Sequence, residues 1–146
     1  VYFSSNRSGG YGGYDLYYSV YSSGRWQSPV NLGYRINSTA DEYAPNLSSD
    51  GRRLYFYSTR AGGRGSDDIW VSELVGGNWQ PPLNLGSVIN SSLSERSPTV
   101  TTGDEFLYLE INGKTGGYGG PDIWSSQSNE VGVEATTLGR VRAIYR

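Results

Sequence analysis

Hydrophobic and polar positions alternate in short bursts along this chain, and turn-forming residues close each burst. The clearest case is Leu54 to Thr59, where the period of two predicts a strand with two distinct faces. Around it the pattern predicts three more strands. One runs near Tyr43 to Leu47 and ends at the turn Ser48-Ser49-Asp50-Gly51. Another covers Asp68 to Leu74, after the Gly-rich loop Ala61 to Ser66. The turn Gly76-Gly77 then leads to a fourth near Asn78 to Leu85.

This unit recurs. Val1-Tyr2-Phe3, Leu54-Tyr55-Phe56 and Leu107-Tyr108-Leu109 are spaced by 53 residues. Asp15-Leu16-Tyr17 returns as Asp68-Ile69-Trp70 and, one residue late, as Asp122-Ile123-Trp124. Trp26 matches Trp79, Pro29 to Gly33 matches Pro82 to Gly86, and Ile36-Asn37-Ser38 matches Ile89-Asn90-Ser91. Glu42 matches Glu95, and Pro45 matches Pro98. A repeat of that length with four antiparallel strands is a propeller blade. The predicted fold is therefore all-β, a β-propeller-type array of four-stranded blades. Residues 1–38 form a partial blade, 39–91 a complete one and 92–126 a partial one, roughly two and two-thirds blades in all. The third copy lacks the Trp-Pro-Asn-Leu-Gly strand. Closed propellers use about four to eight blades, so the expectation is a truncated propeller or several chains completing a ring or fibre.

Composition narrows the chemistry. The 146 residues suit one domain, with 21 Gly, 13 Tyr and 36% hydrophobic residues, a mixture for strands and turns. The net charge of -2 excludes a strongly basic nucleic-acid binder, and Lys114 is the only lysine among 12 basic residues. No Cys is present, which removes disulfides, zinc-thiolate sites and thiol nucleophiles. No His is present, which removes imidazole catalysis and His-metal sites. No apolar run is long enough for a membrane-spanning helix. A chain without Met that opens on an apolar strand is expected to be processed, trimmed or cut from something longer.

The ordered blocks LYF-x-S-x-R-x-GG, D-I-W, W-x-x-P-x-NLG-x-x-INS and E-x-x-P-x-x-S-x-DG resemble PD40 repeats, also called WD40-like or TolB-like propeller repeats. The resemblance covers residues 1–126 and is nearest to copies in bacterial cell-envelope proteins, which often sit beside an OmpA-like domain; no such domain lies in these residues. It implies an extracytoplasmic place, whether periplasm, cell surface or exterior. It also implies a non-catalytic scaffold that binds a protein or further copies of itself through open blade edges. A lectin-like carbohydrate-binding module and a fragment of a propeller hydrolase are the alternatives.

Residues 127–146 leave the repeat. Gln127 to Glu130 is linker-like. Leu138, Val141, Ile144 and Tyr145 fall at helical spacing, with Thr136 or Thr137 as N-cap. Val141, Ala143 and Tyr145 also alternate with Arg140 and Arg142, as in a strand. The segment is either a docking or sorting element or a cap on the open side of the last blade.

The Gly loops Gly9 to Gly13, Gly62 to Ser66 and Gly116 to Gly120 are equivalent. A phosphate loop needs a following helix and usually a lysine, and neither is present. The calcium nonapeptide pattern fits only Gly62 to Trp70. No metal and no cofactor is therefore expected. The loops read as hairpin connections, which Asp15, Asp68 and Asp122 fix by accepting hydrogen bonds from loop amides. They also display Tyr11, Arg64 and Tyr118 at matching positions, a candidate partner or ligand surface together with Arg7 and Arg60. The two arginines alternatively pair with the recurring acids, Asp15, Asp68 and Asp122 or Glu42 and Glu95. Trp26, Trp70, Trp79 and Trp124 are expected between blades, with sugar stacking as the other reading. No catalytic residue is assigned: the recurring carboxylates favour structure, and Ser48 to Gly51 matches only part of a sialidase-type turn.

Overall fold

The structure, a computed structural model, describes residues 1–118 and 120–127 and the backbone of 128 and 138–143. The first repeat contributes β1 (Tyr2–Ser5), β2 (Asp15–Tyr18), the hairpin β3 (Tyr21–Ser22) and β4 (Arg25–Trp26), and β5 (Val30–Asn31). The second contributes β6 (Glu42–Leu47), β7 (Arg53–Ser58), β8 (Asp68–Val75), β9 (Asn78–Trp79), β10 (Leu83–Asn84) and the helical turn α1 (Gly86–Ile89). The third contributes β11 (Glu95–Val100), β12 (Phe106–Asn112), β13 (Pro121–Ser128) and β14 (Leu138–Ala143). The sheets run β1-β2-β5, β6-β7-β8-β10 with β9 also on β8, and β11-β12-β13-β14. All pairings are antiparallel, as in a meander.

Alternation along β7 explains why the sheets stack. Leu54 and Phe56 pack toward the first repeat with Leu16, Ile36 and Trp70. Tyr55 and the partly buried Tyr57 pack the other way, with Ile69, Val71, Leu107, Leu109, Ile111 and Trp124. Successive side chains of a strand point to opposite faces, so the central sheet is covered on both. Burying a side chain such as Phe56 or Leu107 contributes about 2 kcal/mol.

Three expectations change. The fourth strand of the second repeat is split into β9 and β10 because Pro81-Pro82 lies between them and proline has no N–H to donate. Both pieces still pair with β8, at Leu74–Val75 and at Trp70–Val71. Trp26 does not enter an inter-blade core: it is 57% exposed on the β3–β4 hairpin, edge-on to Tyr21 at 5.3 Å. Trp70 and Trp124 are buried, and Trp79 is partly buried. Third, residues 138–143 form a strand and not a helix, paired with β13 from Trp124↔Ala143 to Ser128↔Leu138. A helix would leave the edge of β13 without hydrogen-bond partners. β14 takes the fourth-strand place that the third repeat's own sequence leaves open. The linker reading of Asn129 and Glu130, the N-cap reading of Thr136 and Thr137, and residues 144–146 lie outside the described residues.

The inner strands β6 and β11 bulge at the same point. Register shifts between Tyr43 and Asn46 and between Arg96 and Thr99. Ala44 and Ser97 sit there in the left-handed region, at φ 48° and 52°, each just before a proline.

The recurring Asn of the I-N-S block is a structural clamp. The Asn37 side chain accepts from the Leu16 N–H at 2.8 Å and donates to the Leu16 carbonyl at 3.0 Å. Asn90 does the same to Ile69, at 2.8 and 2.9 Å. A carboxamide carries one acceptor and one donor group, so it pairs as another strand residue would. Both side chains are buried and are held in turn by Asn31 and Asn84. Asn90→Ala strands the buried Ile69 N–H, while the Ile69 carbonyl keeps the Leu85 N–H, and the expected cost is about 2 kcal/mol. Urea unfolding followed by Trp fluorescence measures it, and a loss below about 1 kcal/mol would contradict this role.

Candidate functional site

Two surfaces come from the way the repeats meet. The first lies at the Gly loops. Tyr11 and Gly12 donate backbone N–H bonds to the Asp15 carboxylate at 2.7 and 3.2 Å. Arg64 and Gly65 donate to Asp68 at 2.8 and 3.3 Å, and Tyr118 to Asp122 at 3.0 Å. The glycines serve different needs. Gly62 has φ 90°, a left-handed value that favours glycine. A Cβ on Gly65 would instead overlap the Leu93 carbonyl oxygen, and one on Gly12 the Ala40 carbonyl oxygen. Each of these two loops is thus pressed onto the connector entering the next repeat. The Ser66 N–H donates to the Leu93 carbonyl at 3.1 Å, and the Glu95 N–H to the Asp67 carbonyl at 2.8 Å.

These bonds leave Tyr11, Arg64 and Tyr118 exposed on three successive loops. Arg7 is also exposed, with its guanidinium 4.8 Å from the Tyr17 ring and 5.3 Å from Phe3. Arg60 occupies the same place one repeat on, over Phe56 and Trp70 at 4.9 and 5.3 Å, but it is committed to the interior. It donates to Glu42 at 2.9 Å and to the Ile36 carbonyl at 2.6 Å, tying the first repeat to the second. Lys114 holds the third copy of the position, 4.6 Å from the Trp124 ring.

Glu42 and Glu95 are fully buried. Glu42 accepts from the Ser38 N–H and hydroxyl, the Ser58 hydroxyl and Arg60. Glu95 accepts from the Ser91 N–H and hydroxyl. Burial pushes both carboxyls above their usual range, against the pull of those hydrogen bonds and of the nearby cations. Burial likewise pushes Arg60 and Lys114 down, opposed by Glu42 and Glu95.

The second surface is a groove of about 510 Å³ between the first repeat and the β8–β9 hairpin of the second. Tyr2, Tyr18, Tyr34 and Arg35 line it from one side, Asn78 and Trp79 from the other. Tyr2 meets Trp79 edge-on, with ring centres 6.3 Å apart, and lies 6.0 Å from Tyr18. None of the loop residues above lines this groove. Sequence reasoning missed it, yet a signal exists. Tyr18, Tyr34 and Arg35 stand where the second repeat has Val71, Ser87 and Val88, so they are departures from the repeat rather than parts of it.

Among solved structures the chain is similar to one titled the structure of putative TolB from Agrobacterium tumefaciens, with a TM-score of 0.55 and 18% identity over 90% of this chain. The chain spans 41% of the length of that protein. The likeness shows a TolB-like propeller fold. No protein-family model and no curated protein matches the sequence.

The raised carboxyls make stability depend on pH in a defined direction. A carboxyl whose folded pKa lies above its ordinary 4.5 contributes stability below that value and loses it as pH rises through the folded pKa. Thermal melts at pH values between about 5 and 7 should therefore show a decline in the native chain that Glu95→Gln reduces. Identical profiles for the two proteins would contradict it.

Proposed function

We propose that this chain is a non-catalytic interaction scaffold, built from propeller blades of PD40 type, that works at the bacterial envelope or exterior by binding protein. The observation that carries the reading is what the blades leave outside. Tyr11, Tyr21, Trp26, Tyr34 and Tyr118 are 49, 59, 57, 71 and 74% exposed. Tyr, Trp and Arg dominate binding energy at protein interfaces because they offer large rigid contact at low ordering cost. The recurring acids point the same way, since Asp15, Asp68, Glu42 and Glu95 are buried and hydrogen-bonded within the frame. Such carboxylates support loops and strand ends; general acid–base work needs them in a cleft beside a substrate.

Open sheet edges give a second means of association. Among the described residues β1 pairs only with β2, which leaves its other edge available to a further strand. The Gly-loop face, with Tyr11, Arg64 and Tyr118, is the surface to which we assign the protein partner; Arg7 flanks it and Arg60 supports it from within.

Immobilised chain is expected to retain a defined protein from bacterial envelope extract, and the triple variant Tyr11→Ser, Arg64→Ser, Tyr118→Ser to lose it. Quantitative mass spectrometry of the bound fraction makes the comparison. Equal retention by both proteins, or turnover of model ester or glycoside substrates by the native chain, would overturn the reading in favour of another face or of a hydrolase fragment.

A further inference from the structure

We propose that the groove between the first and second blades binds an acidic oligosaccharide, with a hexuronate unit lying against Tyr34 and Trp79 and its carboxylate paired with Arg35. This goes beyond the protein-binding reading and uses a different face.

The repeat does not demand this groove. Residues that hold the blades together recur, as Asn31 and Asn37 do in Asn84 and Asn90. Tyr18, Tyr34 and Arg35 do not recur: Val71, Ser87 and Val88 occupy their places at the next interface, which is well packed without them. Tyr34 is 71% exposed, and among the described residues its ring has no aromatic partner. Arg35 is exposed and, among the described residues, has no ion-pair partner. A large ring and a guanidinium that the frame does not use, side by side at the mouth of a groove, form a ready binding edge.

The chemistry of the lining selects the ligand. The groove's volume of about 510 Å³ suits a small ligand or a few sugar units. A pyranose ring presents a face of C–H groups and a rim of hydroxyls. The groove presents aromatic rings together with tyrosine hydroxyls and the Asn78 amide. Arg35 is the one charged residue among those lining it, and its planar fork matches a carboxylate in two parallel hydrogen bonds. An extended peptide fits less well. Strand addition needs a run of free backbone groups; of the edge strands at the groove, β5 and β9 are two residues each, and β1 reaches it only with its first residue, Tyr2.

Isothermal titration of the full chain with tetragalacturonate tests the assignment, with cellotetraose and tetraglutamate as the neutral-sugar and acidic-peptide comparisons. The variant Tyr34→Ser, Arg35→Val installs the residues of the second repeat at exposed positions, and an unchanged melting temperature confirms its fold. Saturable binding of tetragalacturonate is expected, stronger than that of either comparison and weakened about tenfold or more by the double variant. Absence of tetragalacturonate binding, equal binding by the intact double variant, or tetraglutamate binding at least as tight would each overturn the proposal. None of these outcomes bears on retention of a protein by the Gly-loop face, which fails or holds separately.

Discussion

A backbone amide buried between two sheets must find a partner, and at Leu16 and Ile69 that partner is a side chain. The fourth strand of each of the first two repeats is cut short after its Asn-Leu pair, by a turn that begins at Gly33 or Gly86. The chain then folds back within a single turn and sets Asn37 or Asn90 against the neighbouring longer strand, β2 or β8. One carboxamide replaces the missing strand residue, and a second, Asn31 or Asn84, holds it in place. The same turn carries Ile36 or Ile89 into the core beside it, so hydrogen bonding and apolar burial are satisfied by adjacent residues. This is the junction through which one blade hands the chain to the next.

The junction imposes a division of labour on the polar residues around it. Ser38 and Ser91, next in the chain, bond Glu42 and Glu95 at the start of the next inner strand. Arg60 reaches back to the Ile36 carbonyl and joins the same network. Each of the first two Gly loops presses on the connector just beyond, where a Cβ would collide with backbone. A carboxylate taken from water requires compensating bonds, and these have them. The recurring acids Asp15, Asp68, Glu42 and Glu95 are therefore parts of the frame, and rings and arginines are among the side chains left outside. On the proposed reading, recognition falls to that outside surface.

Much of the fold was legible in the residues. Alternation at Leu54 to Thr59 located a central strand within one residue at each end, and the two-residue turn at Gly76-Gly77 has both positions at positive φ, as a tight hairpin requires. Spacing alone revealed the stacking of like units. Other features were hidden for physical reasons. Pro81 and Pro82 break a strand whose apolar pattern runs on through them, because pattern records side chains and proline acts on the backbone. Trp26 and Trp79 align in sequence but differ in burial, since Trp79 meets Tyr2 across the blade interface and Trp26 meets Tyr21 of its own hairpin. Segment 138–143 carried both periodicities, and the free edge of β13, a tertiary feature, decided for the strand. The groove was invisible for a different reason: matching the repeats highlights what is shared, and Tyr18, Tyr34 and Arg35 are what is not.

Hydrogen exchange at single amides reaches the junction most directly. The Leu16 and Ile69 N–H groups should exchange as slowly as those paired within the β7–β8 ladder, because a buried carboxamide shields them as a strand would. Exchange at these two positions as fast as in the Gly loops would show that the side chains do not close the sheets, and the turn leading from one blade to the next would then lack its anchor.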